Sequence, residues 1–206
     1  MALSRRKAIK KDMPGNVPAL GLLSGLTGDS LGLYALVVTG ALTIDLGLGR
    51  RISQLGPMTV VINAPRELVF EIISAPYLGR TPRSMEAKLR VIERGQDMVL
   101  AAHYTRIRGL VVTTLETVRF SAPDRIDFRL VRGPVPYVVE HFLLRDRNEQ
   151  CELEYGGDLG TDLWGVGQAW GRRVSCVWEE AVRTSLEGVR TEAERRAGKQ
   201  HKLGVG

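Results

Sequence analysis

Residues 162–196 read DLWGVGQAWGRRVSCVWEEAVRTSLEGVRTEAERR. At about 100° per residue, Leu163, Val166, Trp170, Val174, Val177, Trp178, Ala181 and Ser185 fall on one side. Arg172, Glu179, Arg183, Glu187, Arg190 and Glu194 fall on the other. The pattern predicts an amphipathic helix with one buried stripe. Its apolar part, from Leu163 to Val189, spans about 40 Å at about 1.5 Å per residue. Such a helix needs a partner surface of similar length, and the residues before it supply one.

Working outward, six runs of alternating or apolar residues precede the helix: 88–94, 97–106, 110–120, 126–131, 137–145 and 151–155. Turn residues separate them at Gly95-Gln96, Arg108-Gly109, Ala122-Pro123-Asp124, Gly133-Pro134 and Asp146-Arg147-Asn148. Strands in series with hairpin-length connections predict an antiparallel sheet. Gly156-Gly157 and Gly160 are expected to end it, and Thr161 or Asp162 to cap the helix. Upstream, Pro57 to Asn63 reads as a further strand. Ala64-Pro65 then opens a helix with Leu68, Val69, Ile72 and Ile73 on its apolar face, and Ala75-Pro76 is expected to stop it. Seven strands at about 4.8 Å make a sheet about 34 Å wide, which can twist around the final helix.

The order of one strand, helices, six strands and a long helix resembles the START-like, or helix-grip, superfamily of polyketide cyclases and aromatases, lipid-transfer domains and plant binders of hydrophobic ligands. The residues that carry the resemblance are Val60-Val61-Ile62-Asn63-Ala64-Pro65 leading into Glu67-Leu68-Val69-Phe70-Glu71-Ile72-Ile73, together with the tryptophan-bearing final helix. The resemblance covers about residues 57–197. It implies an α+β helix-grip fold, a curved antiparallel sheet of about seven strands wrapped around the long C-terminal helix. It further implies an apolar cavity between the two and a bound lipid, polyketide or other flat apolar molecule.

The domain reading follows: a basic disordered arm over 1–17, an apolar helix and strand extension over 18–56, the helix-grip domain over 57–197, and a disordered tail over 198–206. Of the 206 residues, 44% are hydrophobic and 25% charged, an ordinary globular balance. The formal charge of +6 sits in the tails. Residues 1–12 hold Arg5, Arg6, Lys7, Lys10 and Lys11 against Asp12, and residues 190–202 carry a similar excess. Basic tails around a near-neutral body argue against nucleic-acid binding, which wants a basic folded face. They leave room for weak association of residues 1–44 with an anionic membrane surface. The apolar run Leu31 to Ile44 starts too late for a signal peptide and is shorter than the roughly 20 residues of a spanning helix. Leu42, Ile44, Leu46 and Leu48 alternate with Thr43, Asp45 and Gly47, so a packed helix followed by a strand is expected there. Two lone cysteines, Cys151 and Cys176, with no CxxC, fit a reducing compartment and hence a cytoplasmic location, with membrane association left open.

Chemistry concentrates on the face that alternates apolar. Glu116 is in phase with Val112, Thr114, Val118 and Phe120, and Glu140 with Val138, Phe142 and Leu144. A carboxyl on such a face would have its pKa raised by desolvation and could act as acid or base on a polyketone. Both residues are therefore the catalytic candidates; outward rotation at a bulge, or pairing with an arginine, is the competing reading. Tyr104, Glu116, Glu140, Phe142, Tyr155, Trp164, Trp170, Val174 and Trp178 are the candidate ligand-binding residues, although tryptophans also serve plain core packing. His103 shows no partner in the sequence. His141 reads as exposed, and His201 lies in the tail. Three scattered histidines make no metal site, and no motif calls for a cofactor. Gly165, Gly167 and Gly171 suggest a cavity mouth near Trp164, or close packing on a strand. Two functions follow: binding or transport of a hydrophobic small molecule or lipid, and a cyclase- or aromatase-like reaction using Glu116, Glu140, Tyr104 or Tyr155. The sequence leaves open whether any reaction is catalysed.

Overall fold

The computed structural model describes residues 30–79, 81, 83–107 and 109–203. The expected basic arm, most of the apolar run before residue 30, and residues 204–206 lie outside the described residues. The chain divides into two units, 1–35 and 36–206. Of the first, residues 30–35 are described and are helical, forming the start of α1 (residues 30–38). All that follows concerns the second unit.

Seven strands form one antiparallel sheet in the order β1-β7-β6-β5-β4-β3-β2. They are β1 (Arg51–Ile62), β2 (Leu89–Arg94), β3 (Met98–Ile107), β4 (Leu110–Ser121), β5 (Arg125–Arg132), β6 (Tyr137–Arg147) and β7 (Gln150–Thr161). Three helices accompany them: α2 (Arg66–Leu78), the single turn α3 (Arg83–Glu86) and α4 (Trp164–Leu203). The last helix packs along β1, β7 and α2, gripped by the sheet.

Register fixes which side chains share the gripped face. One row crosses six strands as Val99, Val118, Phe128, Glu140, Gly157 and Leu55, partner to partner. The next rows carry Ala101, Glu116 and Leu130 on one side, and Phe120, Ile126, Phe142, Tyr155 and Met58 on the other. Paired residues point to the same side of a sheet, so this is the core face. Val118, Ile126, Leu153, Tyr155 and Leu159 on it are fully buried.

Several expectations are corrected. The segment 42–48 is not a strand. Its alternating Leu42, Ile44, Leu46 and Leu48 side chains are all exposed, because its backbone groups bond to turns and side chains instead of a neighbouring strand. Thr43 Oγ1 donates to Gly133 O at 2.7 Å and accepts from Gly133 N at 2.8 Å. Leu46 N and Gly47 N both donate to Asp162 Oδ2, at 2.7 and 2.8 Å. The first strand begins at Arg51, ahead of Pro57, and carries a bulge between Leu55 and Met58 where Gly56 N donates to Glu179 Oε1 at 3.0 Å. Gly156, Gly157 and Gly160 do not end β7. A Cβ at Gly157 would lie 2.5 Å from Val139 O, so the glycine serves close approach of two strands. α2 runs through Pro76 to Leu78, where the missing N–H falls in the last turns. α4 continues to Leu203, so residues 198–203, expected in a disordered tail, are helical. Its buried stripe is also rotated. Val174, Leu186 and Ala193 are buried with Trp170, Trp178, Val182, Val189 and Ala197 packed beside them. Leu163, Val166 and Val177 are exposed.

Candidate functional site

Two buried carboxyls stand on the gripped face, Glu116 from β4 and Glu140 from β6. The alternation of Val112, Thr114, Glu116, Val118 and Phe120 puts Glu116 inward, as β4 pairs with β3 without a register shift from Leu110 to Arg119. Phe128 on β5 and Gly157 on β7 flank Glu140. Gly157 lets β7 approach the Glu140 backbone closely, and Trp178 reaches the Glu140 carboxyl from α4.

Glu140 Oε2 accepts two hydrogen bonds, from Tyr155 O–H at 2.6 Å and from Trp178 Nε1–H at 2.7 Å. Burial pushes its carboxyl up, with the charge of Glu116 adding to the shift, to about 7; the two donors and His103 pull the other way. Glu116 Oε1 accepts from Thr114 Oγ1 at 2.5 Å. Burial pushes this carboxyl up to about 7 as well, against the opposing Thr114 hydrogen bond.

His103 completes the group. Its Nε2 lies 2.9 Å from Tyr77 O–H of α2, and its Nδ1 lies 3.2 Å from Glu116 Oε2. That second approach is a contact without hydrogen-bond alignment, and the Nδ1 atom is out of reach of solvent. Burial lowers the imidazole to about 4, so the neutral ring predominates and the pair with Glu116 is no fixed ion pair at neutral pH. Burial also raises Tyr77 and Tyr155, which therefore keep their protons and act as donors. With Tyr77 donating to Nε2, the neutral ring carries its proton on Nδ1, the nitrogen beside Glu116.

A belt of rings runs between the two carboxyls. Tyr77 lies 5.8 Å from His103 and 6.1 Å from Phe128, Phe128 lies 5.6 Å from Phe142, and Phe142 lies 5.6 Å from Tyr155, centroid to centroid. Leu130, Phe142, Trp170 and Trp178 point toward the core yet stay only partly buried, and the His103 side chain keeps 21% of its surface. Two surface grooves, of about 470 and 640 Å³, lie elsewhere: one lined by Arg90, Arg94 and Tyr104, the other by Met58, Val60, Arg183 and Arg190.

Of the residues singled out in the sequence, the structure brings together Glu116, Glu140, Phe142, Tyr155 and Trp178. Val174 is buried on α4 and Trp170 Nε1 donates to Pro134 O at 2.9 Å, which ties the 132–137 turn to the helix. Tyr104 faces away from the carboxyls, one residue out of phase with His103. Trp164 is exposed, with its ring against Gly49. Of the glycines near it, Gly165 faces open space, whereas the other two serve close packing. A Cβ at Gly167 would collide with Asp162 O, and one at Gly171 would press on Thr161. His103, which the sequence left without a partner, has one in Tyr77 and a close neighbour in Glu116. Thr114 was signalled by its place two residues before Glu116; nothing local pointed to Tyr77. Asp162, expected as a helix cap, instead binds Arg50 Nε at 2.8 Å and the 46–47 backbone. The Arg50 guanidinium and those N–H groups hold its carboxyl below the usual range.

A scan of protein-family models finds no match, and a search of curated proteins finds none either. Solved structures do match. The ZhuI aromatase/cyclase from Streptomyces sp. R1128 aligns with a TM-score of 0.57 at 20% identity, over 71% of this chain and 95% of that one. TTHA0849 from Thermus thermophilus aligns with a TM-score of 0.55 at 16% identity, over 71% of this chain and 99% of that one. The di-domain aromatase/cyclase BexL from the BE-7585A biosynthetic pathway aligns with a TM-score of 0.53 at 13% identity, over 86% of this chain and 60% of that one. Likeness at such identities speaks to shape alone. With the sheet order and the gripped C-terminal helix, it shows that this chain has the helix-grip fold, as these aromatase/cyclases do.

Proposed function

We propose that the protein binds a small, flat, apolar molecule bearing a carbonyl group between α4 and the sheet, and moves a proton on it by acid–base catalysis. The observation that carries this reading is the convergence of five protonatable side chains, Tyr77, His103, Glu116, Glu140 and Tyr155, on one buried face otherwise lined by aromatic and aliphatic groups. A core gains nothing in stability from two desolvated carboxyls, since apolar residues of like volume would serve it as well or better. Strained or costly groups of this kind gather where chemistry needs them. Carboxyls titrating near neutrality are matched to taking a proton from a carbon beside a carbonyl and returning it. In such a step Glu140, ionised, takes the α-proton. The electron pair moves to the carbonyl oxygen as an enolate, and a protonated Glu116 supplies the stabilising hydrogen bond. Aromatase- and cyclase-type reactions run through such enolates.

Non-catalytic carriage of a hydrophobic molecule is the second reading. It is favoured by the aromatic belt, which would hold a planar ligand whether or not a proton moves. One experiment separates the two. The full chain is mixed with an aromatic β-diketone in D2O and deuterium uptake at the α-carbon is followed by NMR. The catalytic reading expects faster exchange than in buffer and a loss of about 10²-fold or more in Glu140→Gln. Binding of the diketone without acceleration would leave carriage. Native mass spectrometry of the purified protein, with extraction of what co-purifies, tests for a resident apolar ligand.

A further inference from the structure

The tips of the strands differ at the two ends of the sheet. At one end lie the start of β1, the β3–β4 turn, the β5–β6 turn, the end of β7 and the start of α4. Residues 46–49 are pinned there: Leu163 N donates to Leu48 O at 2.8 Å and Trp164 N to Gly49 O at 3.1 Å. This end is studded with exposed apolar side chains. Leu46 is 52% exposed, Leu48 57%, Trp164 55% and Val166 77%, and Ile44, Ile52, Leu110, Val131 and Leu163 are exposed around them. Folded monomers seldom leave so many large apolar groups together in water without a use for them.

The same end is cationic. Arg51, Arg106 and Arg132 are exposed and form no ion pair with any described residue. Arg172 and Arg173 are exposed two turns into α4. The acids closest to the 46–49 segment, Asp45 and Asp162, are both bound to Arg50. At the opposite end, where the last turns of α4 lie beside the end of β1 and α2, the arginines are paired with acids: Arg190 with Glu194, and Arg195 and Arg196 with Glu192. The turns of that end, at 95–97, 121–124 and 147–149, carry Asp97, Asp124 and Glu149, with Arg119 on Asp97 and Arg66 on Asp124.

From this asymmetry we infer that the end bearing Leu46, Leu48, Trp164 and Val166 docks on an anionic lipid surface. Aliphatic groups with a tryptophan enter the headgroup boundary while a ring of arginines meets acidic headgroups. Trp is suited to that depth because its ring is apolar and its N–H polar. A nucleic acid would call for stacking aromatics among the cations, and here the apolar groups are mostly aliphatic. The arrangement is peripheral: no helix among the described residues is long and apolar enough to cross a membrane. This inference does not rest on the acid–base reading, and either can fail alone.

The test is co-sedimentation of the full chain with vesicles of phosphatidylcholine and phosphatidylserine in equal parts, against pure phosphatidylcholine. The wild type is expected to bind the mixed vesicles, more weakly as salt rises. Leu48→Ser with Val166→Asp is expected to weaken binding about tenfold or more. Arg51→Glu with Arg132→Glu is expected to cost about tenfold or more. All four positions are exposed, and circular-dichroism melting verifies that each variant is folded. The inference is overturned if the wild type ignores mixed vesicles, or if both variants bind as it does, leaving the residues 1–12 to carry the attraction. It is equally overturned if light scattering shows a dimer that the same substitutions dissociate.

Discussion

Glu116 and Glu140 share a face, a fold and nearly the same burial, yet they are held differently. Glu140 meets two donors on one oxygen, one from the neighbouring strand and one from α4. Its position is thus set jointly by sheet and helix. Glu116 meets one hydroxyl from its own strand and touches an imidazole whose other nitrogen answers to α2. The first is a clamped carboxyl, the second a carboxyl held by a single hydroxyl beside a neutral ring. What the difference teaches is that equal desolvation does not make equal groups: the hydrogen-bond partners decide which oxygen, and which helix, each carboxyl reports to.

The largest way to break the comparison is to delete each carboxyl in turn. Glu140→Ala leaves the Tyr155 hydroxyl and the Trp178 indole without their acceptor and is expected to cost about 3–5 kcal/mol. Glu116→Ala leaves the Thr114 hydroxyl and is expected to cost about 1–3 kcal/mol. Urea denaturation at pH 5 measures both, and equal losses would show that the clamp on Glu140 has no weight of its own.

The pH profile sharpens it. Both carboxyls are raised from 4.5 to about 7, so the folded state binds protons that the unfolded chain releases. Their contribution to stability is fully present below pH 4.5 and is lost as pH rises to about 7. His103, lowered from 6.5 to about 4, runs the opposite way: its contribution is lost as pH falls through that range. In the double variant Glu116→Gln with Glu140→Gln, only the histidine slope should survive. The difference in unfolding free energy between wild type and variant is then expected to shift by about 6 kcal/mol between pH 4.5 and 8, about 3 for each carboxyl, in favour of the variant at the higher pH. Parallel profiles would mean that the two carboxyls titrate as ordinary surface acids.

The smallest effect is the most local. Tyr155→Phe and Trp178→Phe each remove one donor that favours the charged form of Glu140, so its carboxyl should rise further while Glu116 stays closer to its place. Carbon-13 NMR of labelled glutamates reads this directly, at a stability cost of about 1–2 kcal/mol for each variant. A rise at Glu116 as large as at Glu140 would mean that the two carboxyls share one electrostatic site and not two.

Much of this was legible before any coordinates. The phase of Glu116 with Val118 and of Glu140 with Phe142 placed both on the core face, because a strand has a period of two and nothing in β4 or β6 shifts that phase between them. Trp178 was legible as an inward residue of the last helix, but not as a donor to Glu140. Tyr77 was not legible at all as the partner of His103. The two are 26 positions apart, on a helix and a strand, and local pattern carries no information about which helix lies over which strand.

The errors have the same origin. Leu42, Ile44, Leu46 and Leu48 alternate like a strand, but a strand needs a neighbour whose backbone groups are free, and the groups of that segment found Gly133 and Asp162. Gly157 reads as a breaker, yet opposite Glu140 it is a place where two backbones come close. Val166 reads as part of the buried stripe, yet α4 begins at Trp164, ahead of the surface it packs on.

The sequence by itself determined the order and kind of the main elements, the face on which two carboxyls lie and the amphipathic character of the last helix. Each of these is a matter of period, which a chain carries along its length. Only the tertiary structure decided that Tyr77 meets His103, that Tyr155 and Trp178 share one oxygen of Glu140, and that apolar and arginine side chains gather at one end of the sheet. Those are matters of which distant segments touch, and packing, not period, sets them.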